Sequence, residues 1–306
     1  LFVMPALAAT VAITKLITFT PANGGGPRPT IQGDVVVFDI ASGERRLVLD
    51  GPTVTARRTA AVSLVAARHL APAAVDGPLL IVGAGAQGRS HLEAFAQGLG
   101  VRRVRVASRS AASAQALVDH ARRLGLQAEV VGDADAALAA CPLVVTCTPA
   151  AGVVLSALPG PDHFIAAVGA FTPRMVEIAP ALCRHVAGHG RVVVDTRDAE
   201  HEAGDLLQAG LEVGGFADLR QVLRDAPSAR RGPVLAASTH LALHARNCWT
   251  QEMVRAFYYG WYHRFVTELP PVERGMITVP KGPGLGVALQ PGIKTSKGFR
   301  VRRSAA

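Results

Sequence analysis

Short apolar runs alternate with helical patterns through the middle of the chain. The runs predict strands over residues 79–84, 103–107, 127–131, 143–148, 163–169 and 191–195. Between most of them, apolar residues recur every three or four positions, which predicts helices over 87–98, 111–123, 134–140 and 179–187. Strands that alternate with helices through short connections are typical of a parallel sheet with both faces covered. We therefore predict an α/β fold with a doubly wound parallel sheet.

The first 70 residues have a different pattern. Apolar and β-branched runs predict strands over 1–5, 12–20, 33–39 and 46–49. A helix is predicted over 53–70, and its buried stripe is expected at Val54, Ala61, Leu64, Val65 and Leu70. A loop rich in Pro and Gly fills residues 21–30. The pattern thus predicts a β-rich region that precedes the parallel sheet.

Three glycines follow the apolar run Leu79–Val82, at Gly83, Gly85 and Gly88. In a strand-turn-helix unit, this spacing lets the backbone approach a pyrophosphate and points the free N–H groups of the helix at it. The alternative is an ordinary turn between a strand and a helix. The strand before the glycines and the helix pattern after them favour a dinucleotide site.

The second predicted strand ends at Ser108 and Arg109. An acidic residue at this position normally binds the 2′-hydroxyl of NAD, whereas a guanidinium suits a 2′-phosphate. The sequence therefore favours NADP(H) and leaves NAD(H) possible. The alternative is that Arg109 faces solvent or stacks on the adenine.

Several further residues stand where a ligand is expected. Thr148 ends the fourth predicted strand, and Val168 and Gly169 end the fifth, at the edge of the sheet where ligands bind. Lys15 lies in the middle of an apolar strand, so it is either an edge residue or a cation directed into a cleft. Arg57 and Arg58 lie near a helix N-terminus, where a cation gains nothing from the helix dipole. One of them could hold a carboxylate, and the alternative is a solvated arginine.

Composition narrows the possible partners. The net charge is +9, but residues 236–306 hold ten of the 32 Lys and Arg and only three of the 23 Asp and Glu, so the main body is nearly neutral. We expect no nucleic-acid function, because no aromatic stacking pattern accompanies this basic segment. We also expect no metal site and no membrane span. The four cysteines form no C-x-x-C pair, which favours a reducing, cytoplasmic location.

Six motifs together resemble the ornithine cyclodeaminase/mu-crystallin family over residues 3–235. They are I-T-K-L, P-A-N-G-G-G-P-R-P-T, D-G-P-T-V-T-A-R-R-T-A-A, V-G-A-G-A-Q-G-R-S-H-L-E, V-G-A-F-T-P-R-M-V-E and V-V-V-D-T-R-D-A-E-H-E-A-G-D-L. The resemblance implies a Rossmann domain beside a substrate and dimerisation domain. It implies a cation at Lys15, a carboxylate-binding arginine at Arg58 and dinucleotide contacts at Gly83, Gly85, Gln87, Ser108, Arg109, Thr148 and Val168.

Within this family the sequence is similar to reductases of Δ1-pyrroline-2-carboxylate and Δ1-piperideine-2-carboxylate. Family cyclodeaminases carry an Asp where this chain has Phe171, and without that carboxylate the expulsion of ammonia lacks its usual acid–base group. The resemblance therefore implies reduction of a cyclic imine carboxylate to L-proline or L-pipecolate. Lys15, Thr172 or a bound water could supply the proton. The alternatives are a dinucleotide-binding protein without catalysis and a cyclodeaminase.

We divide the chain into a partial substrate and dimerisation domain (1–74), an NADP-binding Rossmann domain (75–200), a return towards the substrate domain (201–235) and a tail (236–306). The family's chains have a further segment before the position of Leu1, so the homodimer that the family implies is left open. The tail resembles the end of a mandelate racemase/muconate lactonising enzyme. There, His240 and Glu252 stand where an active-site histidine and glutamate would be sought. We expect a fusion of two fragments with a partly irregular tail.

Overall fold

The computed structural model describes residues 1–23, 26–71, 78–149, 152–224, 234–237, 272–273 and 276–277. The expectations for the rest of the tail, including His240 and Glu252, lie outside these residues. Two sheets dominate the described part of the chain: an antiparallel sheet of four strands and a parallel sheet of eight.

The antiparallel sheet contains the first four strands, β1 (Phe2–Leu7), β2 (Val11–Phe19), β3 (Ile31–Asp39) and β4 (Arg45–Asp50), in that order. Alternate side chains face opposite sides of a strand, so one face collects the buried residues Met4, Ile17 and Val35. This face packs on helix α1 (Gly51–Leu70). The four predicted strands are therefore present, with bounds shifted by a few residues.

Helix α1 begins two residues before the predicted start, because Asp50 caps it by accepting a hydrogen bond from the Thr53 amide. Of the stripe predicted for this helix, Leu70 is buried, Leu64 and Val65 are half-buried and pack on the core, Val54 is half-buried, and Ala61 is exposed. The fully buried face, which the pattern did not indicate, carries small residues: Gly51, Thr55, Thr59, Ala60, Ser63, Ala66 and Ala67. Small side chains let α1 lie close to its neighbours. This packing is tight, since a Cβ on Gly98 of the adjacent helix would lie 2.4 Å from the Leu64 side chain.

The parallel sheet has the order β11-β10-β12-β9-β8-β5-β6-β7. Its strands are β5 (Leu79–Val82), β6 (Arg103–Ala107), β7 (Gln127–Val130), β8 (Leu143–Thr146), β9 (Phe164–Ala167), β10 (Arg191–Val194), β11 (Ala217–Asp218) and β12 (Val234–Ala237). The helices are α2 (Ala86–Leu99), α3 (Ala111–Arg123), α4 (Ala134–Leu138), α5 (Pro180–His189), α6 (Ala199–Glu202), α7 (Gly204–Gln208) and α8 (Leu219–Arg224). This arrangement confirms the predicted doubly wound α/β fold.

Both faces of the parallel sheet are buried at its central strands, which explains why β5, β8 and β9 are continuous apolar runs. Leu79 and Ile81 of β5 belong to a core with α1, α2 and α3, whereas Leu80 and Val82 belong to a core with α5 and α7. The strand order reverses between β5 and β8, and ligands bind at such a switch point in open α/β sheets.

The segment 201–235 contributes to the parallel sheet. Strand β11 pairs with β10, and β12 lies between β9 and β10. The backbone of both strands therefore lies in the parallel sheet, where we had expected a return towards the substrate domain; the domain bounds themselves stay a prediction. A short antiparallel pair, β13 (Val272–Glu273) and β14 (Met276–Ile277), stands apart from both sheets. None of the described helices is both long and apolar enough to cross a membrane.

Candidate active site

The glycine turn between β5 and α2 has the geometry of a phosphate cradle. Gly83 has a φ of 114°, a conformation that favours glycine, and a Cβ there would lie 2.7 Å from the Cys147 carbonyl oxygen. A Cβ on Gly88 would lie 2.1 Å from the Gly83 carbonyl oxygen, so this glycine allows α2 to pack closely on the turn. Around Gly85 nothing lies within 4 Å of the Cβ position. The space beside the middle glycine is open.

This cradle fits a dinucleotide. Helix α2 begins directly after Gly85, and no side chain caps its N-terminus, so its first N–H groups are available to an anion. The side-chain oxygen of Gln87, in the first turn, is buried and accepts no hydrogen bond from the described residues. An acceptor in that position suits a hydroxyl or amide donor of a bound nucleotide.

The end of β6 presents polar groups to the same edge of the sheet. Ser108 is half-buried and Arg109 is exposed, and Ser110 caps α3 by accepting hydrogen bonds from the backbone and hydroxyl of Ser113. The guanidinium of Arg109 is therefore accessible to a ligand at this edge.

The ends of β8 and β9 are joined by a buried carboxylate. Glu177 is fully buried and accepts hydrogen bonds from the backbone N–H groups of Thr148 and Gly169 and from the hydroxyls of Thr146 and Thr148. A Cβ on Gly169 would lie 2.5 Å from the Glu177 carboxyl carbon and 2.1 Å from the Thr148 carbonyl oxygen. Glycine is therefore required at 169 by this packing. Val168 is fully buried.

A second buried carboxylate supports the first. Asp205 of α7 accepts hydrogen bonds from the backbone N–H groups of Glu177 and Ile178, at 2.6 and 2.9 Å. Burial raises the pKa of Glu177 to about 7, against the hydrogen bonds from Thr148, and raises the pKa of Asp205 to about 6. The two carboxylates link α7 to both strand ends.

Lys15 lies inside the antiparallel sheet and is only 5% exposed. Its cross-strand neighbours are Met4 and Val35, and both are buried. Burial, and then the charge of Arg58, lower the pKa of Lys15 to about 7. Among the two alternatives for Lys15, the edge residue is thereby excluded.

Arg57 and Arg58 differ in their exposure to solvent. Arg57 is exposed, whereas Arg58 is half-buried and its Nε and Nη1 atoms are inaccessible to solvent. Burial lowers the pKa of Arg58 to about 10, and the charge of Asp195, directly after β10, opposes that shift. Arg58 of α1 therefore interacts electrostatically with Lys15 of β2 and with Asp195 at the end of β10.

The antiparallel sheet also contacts the loop after β9. The rings of Phe19 and Phe171 meet edge to face, with centroids 6.3 Å apart. Phe171 thus occupies the seam between the two sheets. Thr172 follows it and is half-buried, with its carbonyl accepting a turn hydrogen bond from the Met175 amide.

Sequence reasoning missed Glu177, Asp205 and Asp195. Asp195 directly follows the apolar run Val192–Val194, so the strand-end rule applied to Thr148 could have found it. Glu177 stands between Val176 and Ile178, and an acidic residue inside an apolar run was a usable signal. Within the described part of the chain, no cluster of three His, Cys, Asp or Glu could hold a metal ion. Cys141, Cys147 and Cys183 are free and buried.

Comparison with known proteins places the site in a family. The Δ1-pyrroline-2-carboxylate reductase 2 of Burkholderia ambifaria is 38% identical over 233 residues, 76% of this chain and 73% of that protein. The Δ1-pyrroline-2-carboxylate/Δ1-piperideine-2-carboxylate reductase of Azospirillum brasilense is 38% identical over 239 residues, 78% of this chain and 75% of that protein. The structure of the iminosuccinate reductase of Paracoccus denitrificans in complex with NAD+ aligns with a TM-score of 0.65 at 25% identity, over 82% of this chain and 78% of that one.

Two family models match the chain, and their matches overlap over residues 197–236. The model described as Enolase C-terminal domain-like matches residues 197–293, which agrees with the resemblance predicted for the tail. The other model matches residues 1–236, which include the antiparallel sheet, the parallel sheet except Ala237, and every candidate site residue outside the tail. The chain belongs to the ornithine cyclodeaminase/mu-crystallin family.

Proposed function

We propose that this chain uses NAD(P)H to reduce cyclic imine carboxylates, Δ1-pyrroline-2-carboxylate and Δ1-piperideine-2-carboxylate, to L-proline and L-pipecolate. The observation that carries the proposal is the juxtaposition of two cations, the buried Lys15 and the half-buried Arg58, beside the sheet edge that we expect to bind the nucleotide. The similarity to the two bacterial reductases supports the same substrates. NAD(P)H, when bound, supplies the hydride.

Arg58 holds the substrate carboxylate. A guanidinium offers two parallel N–H donors to a carboxylate, and this pairing strengthens where burial excludes water, as it does around much of the Arg58 side chain. The charge of Asp195 helps to keep Arg58 protonated against the effect of burial. The clamp would fix the orientation of the substrate ring for hydride transfer.

Lys15 supplies positive charge and a proton to the imine nitrogen. Its pKa of about 7 means that both protonation states are populated at neutral pH, which suits a general acid. Reduction adds a hydride to the imine carbon and a proton to the nitrogen, giving a secondary amine. Thr172, or a bound water, is the alternative donor.

Phe171 favours reduction over deamination. Its ring packs against Phe19 and so brings no carboxylate to the seam. Expulsion of ammonia needs an acid–base group at the reacting centre, whereas a preformed imine needs only a hydride and a proton. Release of ammonia from ornithine by the purified chain would instead support a cyclodeaminase.

The glycine turn would hold the cofactor, with Gly85 at its pyrophosphate and Ser108 and Arg109 at its adenosine half. Gln87, Thr148, Val168 and Gly169 would complete the contacts. We propose a preference for NADP(H), because Arg109 replaces the acidic residue that binds a 2′-hydroxyl. An Arg109→Ala variant is expected to lose more affinity for NADPH than for NADH. Equal losses would remove the basis for that preference.

The test of the activity is the loss of NADPH absorbance with Δ1-piperideine-2-carboxylate. An Arg58→Ala variant is expected to lose most of its catalytic efficiency, and Arg57→Ala, on the same helix but exposed, serves as the matched control. Unchanged activity in Arg58→Ala would reject the clamp. If the natural chain binds NADPH tightly but reduces no imine, we would conclude that it is a dinucleotide-binding protein without catalysis. A homodimer and a cytoplasmic location stay predictions, which gel filtration and cell fractionation can check.

A further inference from the structure

We infer that Glu177 is a positioning residue that holds the nicotinamide end of the nucleotide site in its binding shape. This inference rests on the proposed function, since it concerns the same crevice. Glu177 does not itself reach the cofactor. It acts through the two strand ends, at Thr148 and Gly169, that are expected to contact the nicotinamide half.

The hydrogen bonds of Glu177 divide evenly between its two oxygens. Oε1 accepts from the backbone N–H of Thr148 and from the Thr148 hydroxyl, at 2.5 and 2.7 Å. Oε2 accepts from the backbone N–H of Gly169 at 2.6 Å and from the Thr146 hydroxyl at 3.0 Å. Each oxygen thus has one obligatory donor, a backbone N–H, and one hydroxyl. A carboxylate is the side chain that can accept all four hydrogen bonds at once.

Helix α7 anchors Glu177 from the other side. Asp205 binds the backbone N–H groups of residues 177 and 178. A Cβ on Gly204 would lie 2.0 Å from the Met175 carbonyl oxygen and 2.4 Å from the Thr172 carbonyl oxygen. The segment from Thr172 to Ile178 therefore lies directly on the start of α7. Through its hydrogen bonds with Thr148 and Gly169, Glu177 then holds the ends of β8 and β9 in place relative to α7.

The same connection sets the loop that follows β9. Gly169 lies two residues before Phe171, whose ring contacts Phe19 of the antiparallel sheet. Loss of the bond to the Gly169 amide would free this loop at its beginning. We therefore expect Glu177 to influence both cofactor affinity and the position of Phe171 at the seam.

The ionised form of Glu177 is the one that the four donors require. As the pH falls through about 7, the carboxyl takes up a proton and then competes with its own donors. The other titratable groups that face it are Asp205 on α7 and Cys147 after β8, and both are buried. Asp205 raises the pKa of Glu177 through its charge and has itself a pKa of about 6. Cofactor affinity should therefore decrease below about pH 7.

The experiment is a fluorescence titration of NADPH on the full chain between pH 6 and 8, which needs no turnover. In Glu177→Gln the amide group must oppose one of the two backbone N–H donors, so we expect NADPH to bind about tenfold more weakly or worse. We also expect the natural decrease in affinity below pH 7 to disappear. The matched control is Asp39→Asn, because Asp39 also accepts from a backbone N–H and a hydroxyl, both of Ser42, in the turn between β3 and β4. It should bind NADPH as the natural chain does.

A gentler variant keeps the test valid if Glu177→Gln does not fold. Thr146→Val removes one hydroxyl donor and keeps the carboxylate. Loss of this hydroxyl destabilises the ionised form of Glu177, so the pH below which NADPH affinity decreases should shift upwards. If the variants bind NADPH with the affinity and the pH dependence of the natural chain, the role of Glu177 is overturned. The reductase proposal would not be affected by that result. A natural chain that binds NADPH without reducing imines would reject the reductase alone, and one that binds no nucleotide would overturn both.

Discussion

Replacing Lys15 by Met should stabilise the folded chain while it weakens catalysis. Lys15 is buried between Met4 and Val35, and burial followed by the charge of Arg58 lowers its pKa from 10.5 to about 7. The unfolded chain therefore binds more protons at this site than the folded chain between those two pH values. Stability must then rise with pH across that window, because the folded state disfavours the charged lysine. Met has a similar length and no charge, so it removes this cost.

The size of the effect follows from the two pKa values. Linkage between a folded pKa of about 7 and an unfolded value of 10.5 gives a cost of about 4 kcal/mol at pH 7 and about 2 kcal/mol at pH 9. Above the unfolded pKa the cost vanishes, and below the folded pKa it is complete. A difference of this size is a large part of the stability of an ordinary domain. The repulsion between Lys15 and Arg58 is removed in the same variant.

Urea unfolding of the natural chain and of Lys15→Met, at pH 7 and pH 9, measures this difference. We expect the variant to be more stable at both values, by an amount that shrinks as the pH rises. The comparison uses the difference between two chains, so other groups that titrate in the same range cancel. Two results would refute the argument that Lys15 is held in a site without water. One is a Lys15→Met variant less stable than the natural chain, and the other is a gain in stability that does not change with pH. Reductase activity of the same variant should decrease.

The remaining predictions concern the two halves of the site. Arg58→Ala should raise the KM for the imine carboxylate by about 10- to 200-fold, from the loss of charge-assisted hydrogen bonds, and leave NADPH binding unchanged in a titration. Gly85→Ala should leave the melting temperature near that of the natural chain, since the Cβ meets nothing within 4 Å and the backbone is extended, but weaken NADPH binding at least tenfold. Gly83→Ala should unfold at much lower denaturant concentration than Gly43→Ala, because both have positive φ but only the Cβ at 83 would meet a carbonyl oxygen; the control should cost about 1 kcal/mol. In a pH profile of the natural chain, kcat/KM should fall as the pH rises above about 7, when Lys15 loses its proton, and a flat profile there would argue for another donor.

The sequence was most informative about elements whose local pattern and burial agree. Runs such as Leu79–Val82 are apolar throughout because both faces of the parallel sheet are covered, and all six predicted strands are present. Helix α1 shows the opposite case. Its buried face is made of small residues that leave space for neighbouring helices, and periodicity of large apolar residues cannot detect such a face. The pairing of β12 between β9 and β10 also depends on distant partners that no local pattern identifies.

For the site, sequence identified single residues better than their connections. The glycine spacing located the cradle, but Gly169 serves the packing of Glu177, which is eight residues further along the chain. From sequence, Lys15 could have been an edge residue and Arg58 a solvated arginine. The burial of Lys15 and its interaction with Arg58, from a different element, become visible only in the fold. Asp205, which holds Glu177, belongs to a short helix with no distinctive local pattern. Relations of this kind arise from the tertiary fold.

The charged groups of this site share one main physical cause for their shifted pKa values. For Lys15, Arg58, Glu177 and Asp205, burial is the largest influence on the pKa, and hydrogen bonds or neighbouring charges are secondary. Burying a cation costs stability, and groups with strongly shifted pKa values cluster at functional sites. A substrate carboxylate would add a negative charge, beside that of Asp195, next to the two cations on the antiparallel side. The two carboxylates are compensated within the chain by backbone donors, which fits fixed structural supports. The division explains why the cations are the groups expected to meet substrate and the buried acids are expected to shape the crevice.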